Sequence, residues 1–319
     1  MSEYNTLHFA HPAYQFEACY LKRGLSGATF QTWNPEDTAA RISRASVFVG
    51  SGFWRNEFLD TAPELKYVHV GAVGYDSFDV EAIRARGIRL CNSSGVNRNA
   101  VADHGMAMIL SFTRQLHSAR DRQFKAEWRG MISDIAKRED ELTGKTLLIY
   151  GLGAIGGRLA RLAQAFDMRV VGIKRDTAEA PDNVDAVHGP DAFLEALAEA
   201  DIVALTCPLT DRTRGLIGET ALAAMKDTAY LINLARGPVV DEQALVSALA
   251  ERRIAGAGLD VFDPEPLPAT SKLWGFETVI ITPHTGGETQ AYEENVIDLL
   301  AENLNRLRNG ESELLNQIV

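Results

Sequence analysis

The feature that most constrains this chain is a glycine-rich turn, GLGAIG, at residues 151–156. It follows an apolar run at residues 146–150 that reads as a strand, and a helical pattern over residues 156–166 follows it. In such a turn the first glycine permits the tight bend, the second lets the backbone approach a pyrophosphate, and the third allows close helix–strand packing. The helix N-terminus offers free N–H groups to the anion. This context predicts a dinucleotide site rather than a turn without a ligand. Its residues are Gly151, Gly153, Ala154, Ile155 and Gly156.

From Gly144 onward, short apolar runs alternate with helical segments. Six runs are predicted as strands, at residues 146–150, 168–173, 200–205, 229–234, 255–262 and 278–283. This alternation is typical of a doubly wound parallel sheet. The first hundred residues predict a smaller α/β unit, with strands at residues 46–50, 66–70 and 88–91. Long helices are predicted over residues 100–128 and 289–309. The predicted fold class is α/β, with two doubly wound parallel-sheet domains.

The composition excludes several classes of protein. The chain has 319 residues, 46% of them hydrophobic, and 32 Lys and Arg against 43 Asp and Glu give a formal net charge of −11. A disordered chain is excluded, and we expect neither nucleic-acid nor membrane binding because both need a basic surface. Three cysteines without metal-ligand spacing predict no metal site and no disulfide framework. We expect a cytoplasmic protein, since no signal-peptide pattern and no apolar span of ~20 residues occurs.

The strand after the glycine-rich turn ends at Lys174 and Arg175. An NAD-binding unit usually has an acidic residue here for the ribose hydroxyls, whereas Lys and Arg pair with the 2′-phosphate of NADP. Asp176 follows and is close enough in sequence to serve a ribose hydroxyl. The alternative is that both basic side chains are merely solvated. The ribose-site chemistry predicts NADP as cofactor, with NADPH preferred and NAD as the second choice.

Three later predicted strands lead into residues with chemical capability, namely Arg236, Asp260 with Glu265, and His284. Ligands of open α/β sheets bind beyond the carboxyl ends of the strands, so these side chains are expected at one edge. Arg236 is suited to bind a substrate carboxylate, and His284 is suited to exchange a proton with the substrate oxygen. Glu265 is expected to orient His284 through the other ring nitrogen. Each residue alone is commonly structural, but together they predict hydride transfer between a nicotinamide and a 2-oxo or 2-hydroxy acid.

In its motifs the chain resembles the D-isomer-specific 2-hydroxyacid dehydrogenases, which use NAD or NADP. The matching segments are GAVGYD (71–76), NAVADH (99–104), GLGAIG (151–156), CPLT (207–210), INLARG (232–237), the stretch 260–266, and PH (283–284). Asp103 departs from the pattern, since the family usually has Glu there. NAD-using members have an acidic residue where this chain has the basic pair Lys174 and Arg175. The family pattern therefore does not determine whether this chain uses NAD or NADP.

The resemblance implies a Rossmann cofactor domain, residues 99–285, inserted into a smaller flavodoxin-like substrate domain, residues 1–98 and 286–319. It implies catalytic roles for Arg236, Glu265 and His284, and a substrate carboxylate held by the backbone N–H groups of Val73 and Gly74. It also implies a homodimer joined through the cofactor domains. It extends the cofactor site to Val101, Cys207, Pro208, Thr213, Leu234, Ala235 and Asp260.

Two points stay open at the level of sequence. Trp54 lies in the loop after a predicted strand, where it either shapes the substrate pocket or fills the core of the small domain. The substrate is a small 2-oxo acid, with glyoxylate, hydroxypyruvate and aromatic or branched acids as candidates. A different class of protein would be a dinucleotide-binding scaffold or sensor without turnover. The presence of Arg236, Glu265 and His284 favours the enzyme.

Overall fold

The computed structural model describes residues 3–178 and 181–319. Contacts between Cα atoms divide the chain into two compact units. Unit 1 comprises Met1–Asn97 and Thr289–Val319, and unit 2 comprises Arg98–Glu288. Each unit is built on one sheet of parallel strands. In the described part of the chain, no helix has both the length and the apolar character that crossing a membrane requires.

The strands are, in chain order, β1 (Thr6–Ala10), β2 (Ala28–Thr32), β3 (Val47–Gly50), β4 (Tyr67–Val70), β5 (Arg89–Asn92), β6 (Thr146–Tyr150), β7 (Arg169–Ile173), β8 (Ala186–His188), β9 (Ile202–Leu205), β10 (Tyr230–Asn233), β11 (Gly256–Leu259) and β12 (Val279–Ile281). The α-helices are α1 (Phe16–Lys22), α2 (Pro35–Arg41), α3 (Phe58–Thr61), α4 (Val80–Ala85), α5 (Arg98–Thr113), α6 (Leu116–Phe124), α7 (Ala154–Gln164), α8 (Phe193–Glu199), α9 (Glu219–Ala224), α10 (Glu242–Ala250) and α11 (Tyr292–Arg308).

The sheet of unit 1 has the strand order β2-β1-β3-β4-β5, which is the flavodoxin-like order. Strands β3 and β4 are buried along their whole length, as expected for parallel strands covered on both faces. On one face, Phe9 and Val49 pack in a cluster with Val296 and Leu300 of α11. The C-terminal helix is therefore part of the core of unit 1.

The sheet of unit 2 has the strand order β12-β11-β10-β9-β6-β7-β8. The chain starts this sheet at β6, proceeds to β7 and β8 on one side, and then returns to β9 on the other side. This reversal is the topological switch point of a doubly wound sheet, and ligands bind in the crevice at the carboxyl ends of the two strands beside it. The glycine-rich turn follows β6 at this crevice. The predicted α/β fold class is confirmed, and all six predicted runs of this unit contain strands.

The predicted single helix over residues 100–128 is wrong. Helix α5 ends at Thr113, Gln115 adopts a left-handed conformation with φ of 50°, and α6 starts at Leu116. The two helices differ in environment, because half of the α5 residues are buried whereas α6 contains no buried residue. Strands β1 and β2 were not predicted because polar residues interrupt their apolar runs, and β8 was not predicted because it has only three residues.

Candidate active site

The glycine-rich turn has the geometry that a bound pyrophosphate needs. Gly151 has φ of +107°, and a Cβ atom there would lie 2.9 Å from the Cα of Cys207. A Cβ atom on Gly156 would collide with the carbonyl oxygen of Gly151. Nothing lies within 4 Å of a Cβ atom placed on Gly153, so the backbone there is open to a ligand. The first and third glycines are thus required by packing, and the second leaves room for the cofactor.

Helix α7 begins at Ala154, directly after the open glycine. Its first backbone hydrogen bond runs from the N–H of Gly157 to the carbonyl oxygen of Gly153, at 2.8 Å. The N–H groups that precede it, including that of Ile155, have no acceptor within the helix and suit an anion. The hydroxyl of Thr206 donates to the carbonyl oxygen of Gly151 at 2.7 Å and holds the start of the turn. These features fit a dinucleotide.

The basic pair lies at the carboxyl end of β7, the strand next to β6. The N–H of Lys174 donates to the carbonyl oxygen of His188 at 3.1 Å, which fixes the start of the loop. The side chain of Arg175 is exposed. The carboxylate of Asp176 accepts the N–H of Ala178 at 3.0 Å and so takes part in its own turn. Two cations therefore stand where a ribose of the cofactor is expected.

The other residues predicted for the cofactor lie after β9 and β10 or in α5. Cys207 is buried, and burial raises the pKa of its thiol to about 11, so the thiol stays protonated at neutral pH. The hydroxyl of Thr213 donates to the carbonyl oxygen of Pro208 at 2.7 Å and stabilises the loop after β9. The remaining three are buried in the cores of unit 2, namely Val101, Leu234 and Ala235. Their contact with a cofactor stays a prediction.

A histidine–glutamate pair lies beyond the carboxyl ends of β11 and β12. The Nδ1 atom of His284 lies 2.8 Å from Oε2 of Glu265, and both side chains are partly exposed. The other oxygen, Oε1, accepts the N–H of Phe262 at 3.0 Å, so the carboxylate is held at both ends. An ionised carboxylate only accepts hydrogen bonds, so Nδ1 of His284 carries the proton. Nε2 is then the ring nitrogen of His284 that Glu265 does not engage.

Asp260 holds the segment that carries His284. Its Oδ1 accepts the hydroxyl of Thr282 at 2.6 Å and the N–H of Thr285 at 3.0 Å, and its Oδ2 accepts the N–H of Gly286 at 3.0 Å. Asp260 is buried, so these hydrogen bonds satisfy a charge that is shielded from water. The family resemblance implies a place near the nicotinamide for this residue. The observed contacts also show that Asp260 holds the chain on both sides of His284.

Arg236 lies three residues after the end of β10, the neighbour of β11. Its Nη1 donates to the carbonyl oxygen of Ala235 at 2.8 Å. The side chain of Asn233 holds this corner, because its amide donates to the carbonyl oxygen of Arg236 at 3.1 Å and its oxygen accepts the N–H of Ala235 at 3.1 Å. Adjacent strands thus bring Arg236, Glu265 and His284 to one edge of the sheet of unit 2.

In unit 1, Val73 and Gly74 lie in the loop that follows β4 and are half-buried. Trp54 is only 6% exposed and packs in the core of this unit. Its ring stacks on Phe78 with a centroid distance of 5.0 Å, and its indole N–H donates to Asn56 at 2.9 Å. These contacts correspond to the packing role that was left open for Trp54, and a contact with substrate stays a prediction.

Comparisons with known proteins agree with this geometry. Residues 106–286 match the model of the D-isomer specific 2-hydroxyacid dehydrogenase, NAD binding domain. A glyoxylate reductase from Thermococcus gammatolerans is 41% identical over 259 residues, which cover 80% of this chain and 77% of the relative. The chain belongs to the D-isomer specific 2-hydroxyacid dehydrogenases. It is an NAD(P)-dependent enzyme that interconverts 2-oxo and 2-hydroxy acids.

Two further relatives extend the likeness of this dehydrogenase over most of its length. Glyoxylate/hydroxypyruvate reductase B from Yersinia pestis is 40% identical over 274 residues, which cover 85% of this chain and 83% of the relative. The crystal structure of an NADPH-dependent glyoxylate/hydroxypyruvate reductase from Sinorhizobium meliloti superposes with a TM-score of 0.83 at 26% identity. That comparison covers 99% of this chain and 98% of the other.

Sequence reasoning missed the residues of this dehydrogenase that hold the site residues in place through hydrogen bonds. Thr206 and Asn233 fix the corners after β9 and β10, and Thr282 links Asp260 to the loop of His284. His104, which showed no ligand spacing, lies 3.0 Å from the hydroxyl of Thr282 through its Nε2. Thr206, Asn233 and Thr282 share one signal, which is a polar residue at or next to the carboxyl end of a predicted strand.

The packing of the glycine-rich turn generates a prediction. Gly156→Ala forces a Cβ atom against the carbonyl oxygen of Gly151, so α7 must move away from β6. We expect the free energy of unfolding to fall by roughly 1–3 kcal/mol. We also expect the dissociation constant for NADPH, measured by fluorescence titration, to rise at least about tenfold, equivalent to ~1.4 kcal/mol.

Gly157→Ala is the matched control, because nothing lies within 4 Å of a Cβ atom at that neighbouring position. This variant should bind NADPH normally and gain up to about 1 kcal/mol of stability from helix propensity. Equal NADPH affinity in the two variants would show that the contact does not shape the cofactor site.

Proposed function

We propose that this dehydrogenase reduces small 2-oxo acids, glyoxylate and hydroxypyruvate among them, to D-2-hydroxy acids, with NADPH as the preferred cofactor. The observation that carries the proposal is the 2.8 Å contact between Nδ1 of His284 and Glu265. It supplies an oriented proton donor at the carboxyl edge of a dinucleotide-binding sheet. The names of the relatives supply the substrate class.

His284 is the acid and base of the proposed reaction. With Nδ1 held by Glu265, the protonated ring donates from Nε2 to the carbonyl oxygen of the substrate, and it takes the proton back in the reverse direction. The hydrogen bond between Nδ1 of His284 and Glu265 fixes the orientation of the ring. When bound, the nicotinamide cofactor supplies the hydride that reduces the carbonyl carbon. The protein thus delivers the proton that completes the hydroxyl group.

Arg236 binds the substrate in this proposal. Its Nη1 contacts the carbonyl oxygen of Ala235, which fixes the guanidinium at the end of β10. The remaining N–H groups form a planar fork that matches a carboxylate and also polarises the adjacent carbonyl oxygen. For the backbone N–H groups of Val73 and Gly74, in the loop after β4 of unit 1, we propose contact with the substrate carboxylate.

The preference for NADPH rests on Lys174 and Arg175. The cofactor's pyrophosphate would lie on the turn Gly151–Gly156 and its adenosine ribose beyond the carboxyl end of β7. There a cationic side chain pairs with a 2′-phosphate, while an acidic residue would repel it. Asp176 is engaged with its own turn through the N–H of Ala178. This arrangement favours NADPH over NADH.

We also propose a homodimer, and the segment after α6 is the surface that supports it. Four large apolar side chains in this part of unit 2 are mostly exposed, namely Phe124, Trp128, Met131 and Ile135. Trp128 is 99% exposed and, with Met131, lines a groove of about 700 Å³. Such a concentration of exposed apolar side chains is typical of a protein–protein interface.

The first test of the proposed function is the oxidation of NADPH with glyoxylate as substrate, followed by the absorbance of NADPH. His284→Asn should lower kcat by about 10²–10⁴-fold, because the proton donor is lost. Glu265→Gln keeps an acceptor oxygen but removes the charge, and should lower kcat by about 10–100-fold. Both variants should bind NADPH normally. Full turnover by His284→Asn would refute the proposed mechanism.

The cofactor preference is tested by Arg175→Asp. The loss of one charge-assisted contact with the 2′-phosphate should lower kcat/KM for NADPH about 10–100-fold, while kcat/KM for NADH is unchanged or higher. Arg169→Asp makes the same charge change at the opposite end of β7, where it removes only an exposed ion pair with Glu199. If both variants keep the original ratio, the basic pair does not select the cofactor.

The proposed interface is tested by the double variant Trp128→Asp with Met131→Asp. Two charges in the apolar cluster should convert a dimer into monomers, as measured by light scattering after gel filtration. Trp33→Asp, which changes an exposed tryptophan of unit 1, should leave the mass at two chains. A wild-type protein that elutes as a monomer at all concentrations would contradict the proposed homodimer.

A further inference from the structure

The carbonyl groups of the loop after β4 are held by hydrogen-bond donors from α11 and from the end of β5. The carbonyl oxygen of Gly71 accepts the phenolic hydroxyl of Tyr292 at 3.0 Å. The next carbonyl oxygen, that of Ala72, accepts the backbone N–H of Ser93 at 3.0 Å. Tyr292 is the first residue of α11, and Ser93 directly follows β5. Two elements that are distant in sequence therefore anchor successive carbonyl groups.

A third carbonyl group is anchored by a side chain. The amide of Asn92 donates to the carbonyl oxygen of Val73 at 2.7 Å. The oxygen of the same amide accepts the N–H of Ser94 at 3.2 Å, which fixes its orientation and makes the nitrogen the donor toward the loop. Asn92 is buried, so this contact is shielded from competition by water.

These anchors determine where the N–H groups of the loop point. In a planar trans peptide the carbonyl group of one residue and the N–H of the next point in opposite directions. Anchoring the carbonyl groups of Gly71, Ala72 and Val73 therefore points the N–H groups of Ala72, Val73 and Gly74 away from the donors that hold these carbonyl groups. Among the residues that the structure describes, these three N–H groups have no acceptor. Successive free N–H groups of this kind bind anions.

The position of Tyr292 is itself fixed. Tyr292 is only 6% exposed, and the centroid of its ring lies 5.0 Å from the centroid of the Tyr14 ring. Burial raises the pKa of Tyr292 above its usual value, so the hydroxyl remains a neutral donor over the working pH range.

We propose that Tyr292 and Asn92 are positioning residues for the substrate carboxylate, because they turn the N–H groups of Val73 and Gly74 toward it. This inference rests on the proposed function. The two residues contact the loop and not the substrate, so they act through the backbone. The carboxylate is not altered in the reaction, so its contacts are equally strong in the ground and transition states. Loss of such uniform binding raises KM and leaves kcat unchanged.

The test is steady-state kinetics with NADPH and glyoxylate, together with inhibition by oxamate. Tyr292→Phe removes only the hydroxyl, and Asn92→Ala removes the amide. Each variant should raise KM for glyoxylate about 3–10-fold, the effect of one hydrogen bond. The inhibition constant of oxamate should rise by the same factor, while kcat and the dissociation constant of NADPH stay within twofold, a difference of about 0.4 kcal/mol.

Tyr20→Phe is the matched control. Tyr20 is a buried tyrosine of unit 1 whose hydroxyl donates to the carbonyl oxygen of Ser26 at 2.8 Å, in a different turn. The loss of this hydroxyl should lower the melting temperature as much as Tyr292→Phe does, without any change in KM. A purely structural role would give the two variants the same kinetics.

The outcomes separate the inference from the proposed function. If the wild-type protein reduces no 2-oxo acid, the proposed function is wrong and the inference is withdrawn with it. If the wild-type protein is active but Tyr292→Phe and Asn92→Ala keep its KM and its oxamate inhibition, the inference alone is overturned. An equal rise of KM in Tyr20→Phe would also overturn it.

Discussion

The buried carboxylate of Asp260 fixes the backbone segment that carries His284. It accepts hydrogen bonds from the hydroxyl of Thr282 and from the N–H groups of Thr285 and Gly286. Displacement of this segment would leave a buried charge without partners, which costs several kcal/mol. His284 lies between these donors with φ of 55°, a conformation that is unfavourable for a residue other than glycine. The hydrogen bonds of Asp260 stabilise that conformation, and Glu265 then orients the ring.

The same construction recurs at the glycine-rich turn of unit 2 and at the loop after β4 in unit 1. The hydroxyl of Thr206 holds the carbonyl oxygen of Gly151, and Tyr292 and Asn92 hold carbonyl oxygens of the loop after β4. In each case a side chain donates a hydrogen bond to a backbone carbonyl oxygen. The N–H group of the same peptide unit then points in the opposite direction. Backbone N–H groups are neutral, so they keep their capacity to bind an anion at every pH at which the protein is folded. Side-chain cations add charge to this scaffold.

The sequence predicted the parts of the site that depend on local chemistry. The glycines of the turn were identifiable because backbone geometry excludes other residues there. The contact of His284 with Glu265 followed from their places after neighbouring strands. The break at Gln115 could not be predicted, since glutamine is a good helix former and left-handed backbone conformations favour glycine. Contacts such as Tyr292 with Gly71 were also inaccessible, because 221 positions separate the partners and no local pattern links them.

Because the formal net charge of the chain is −11, anions can be bound only through local cations and N–H groups. The substrate and the cofactor are anions, so the long-range field of the protein repels both. This repulsion is screened over ~8 Å at physiological ionic strength, whereas a contact at hydrogen-bond distance is not. In the proposed mechanism Arg236 binds the substrate, and Lys174 with Arg175 bind the ribose phosphate, at such short distances. In that mechanism the acidic surface slows the encounter with substrate and cofactor chiefly at low salt, and a few cations and anchored N–H groups determine the affinity and selectivity for anions.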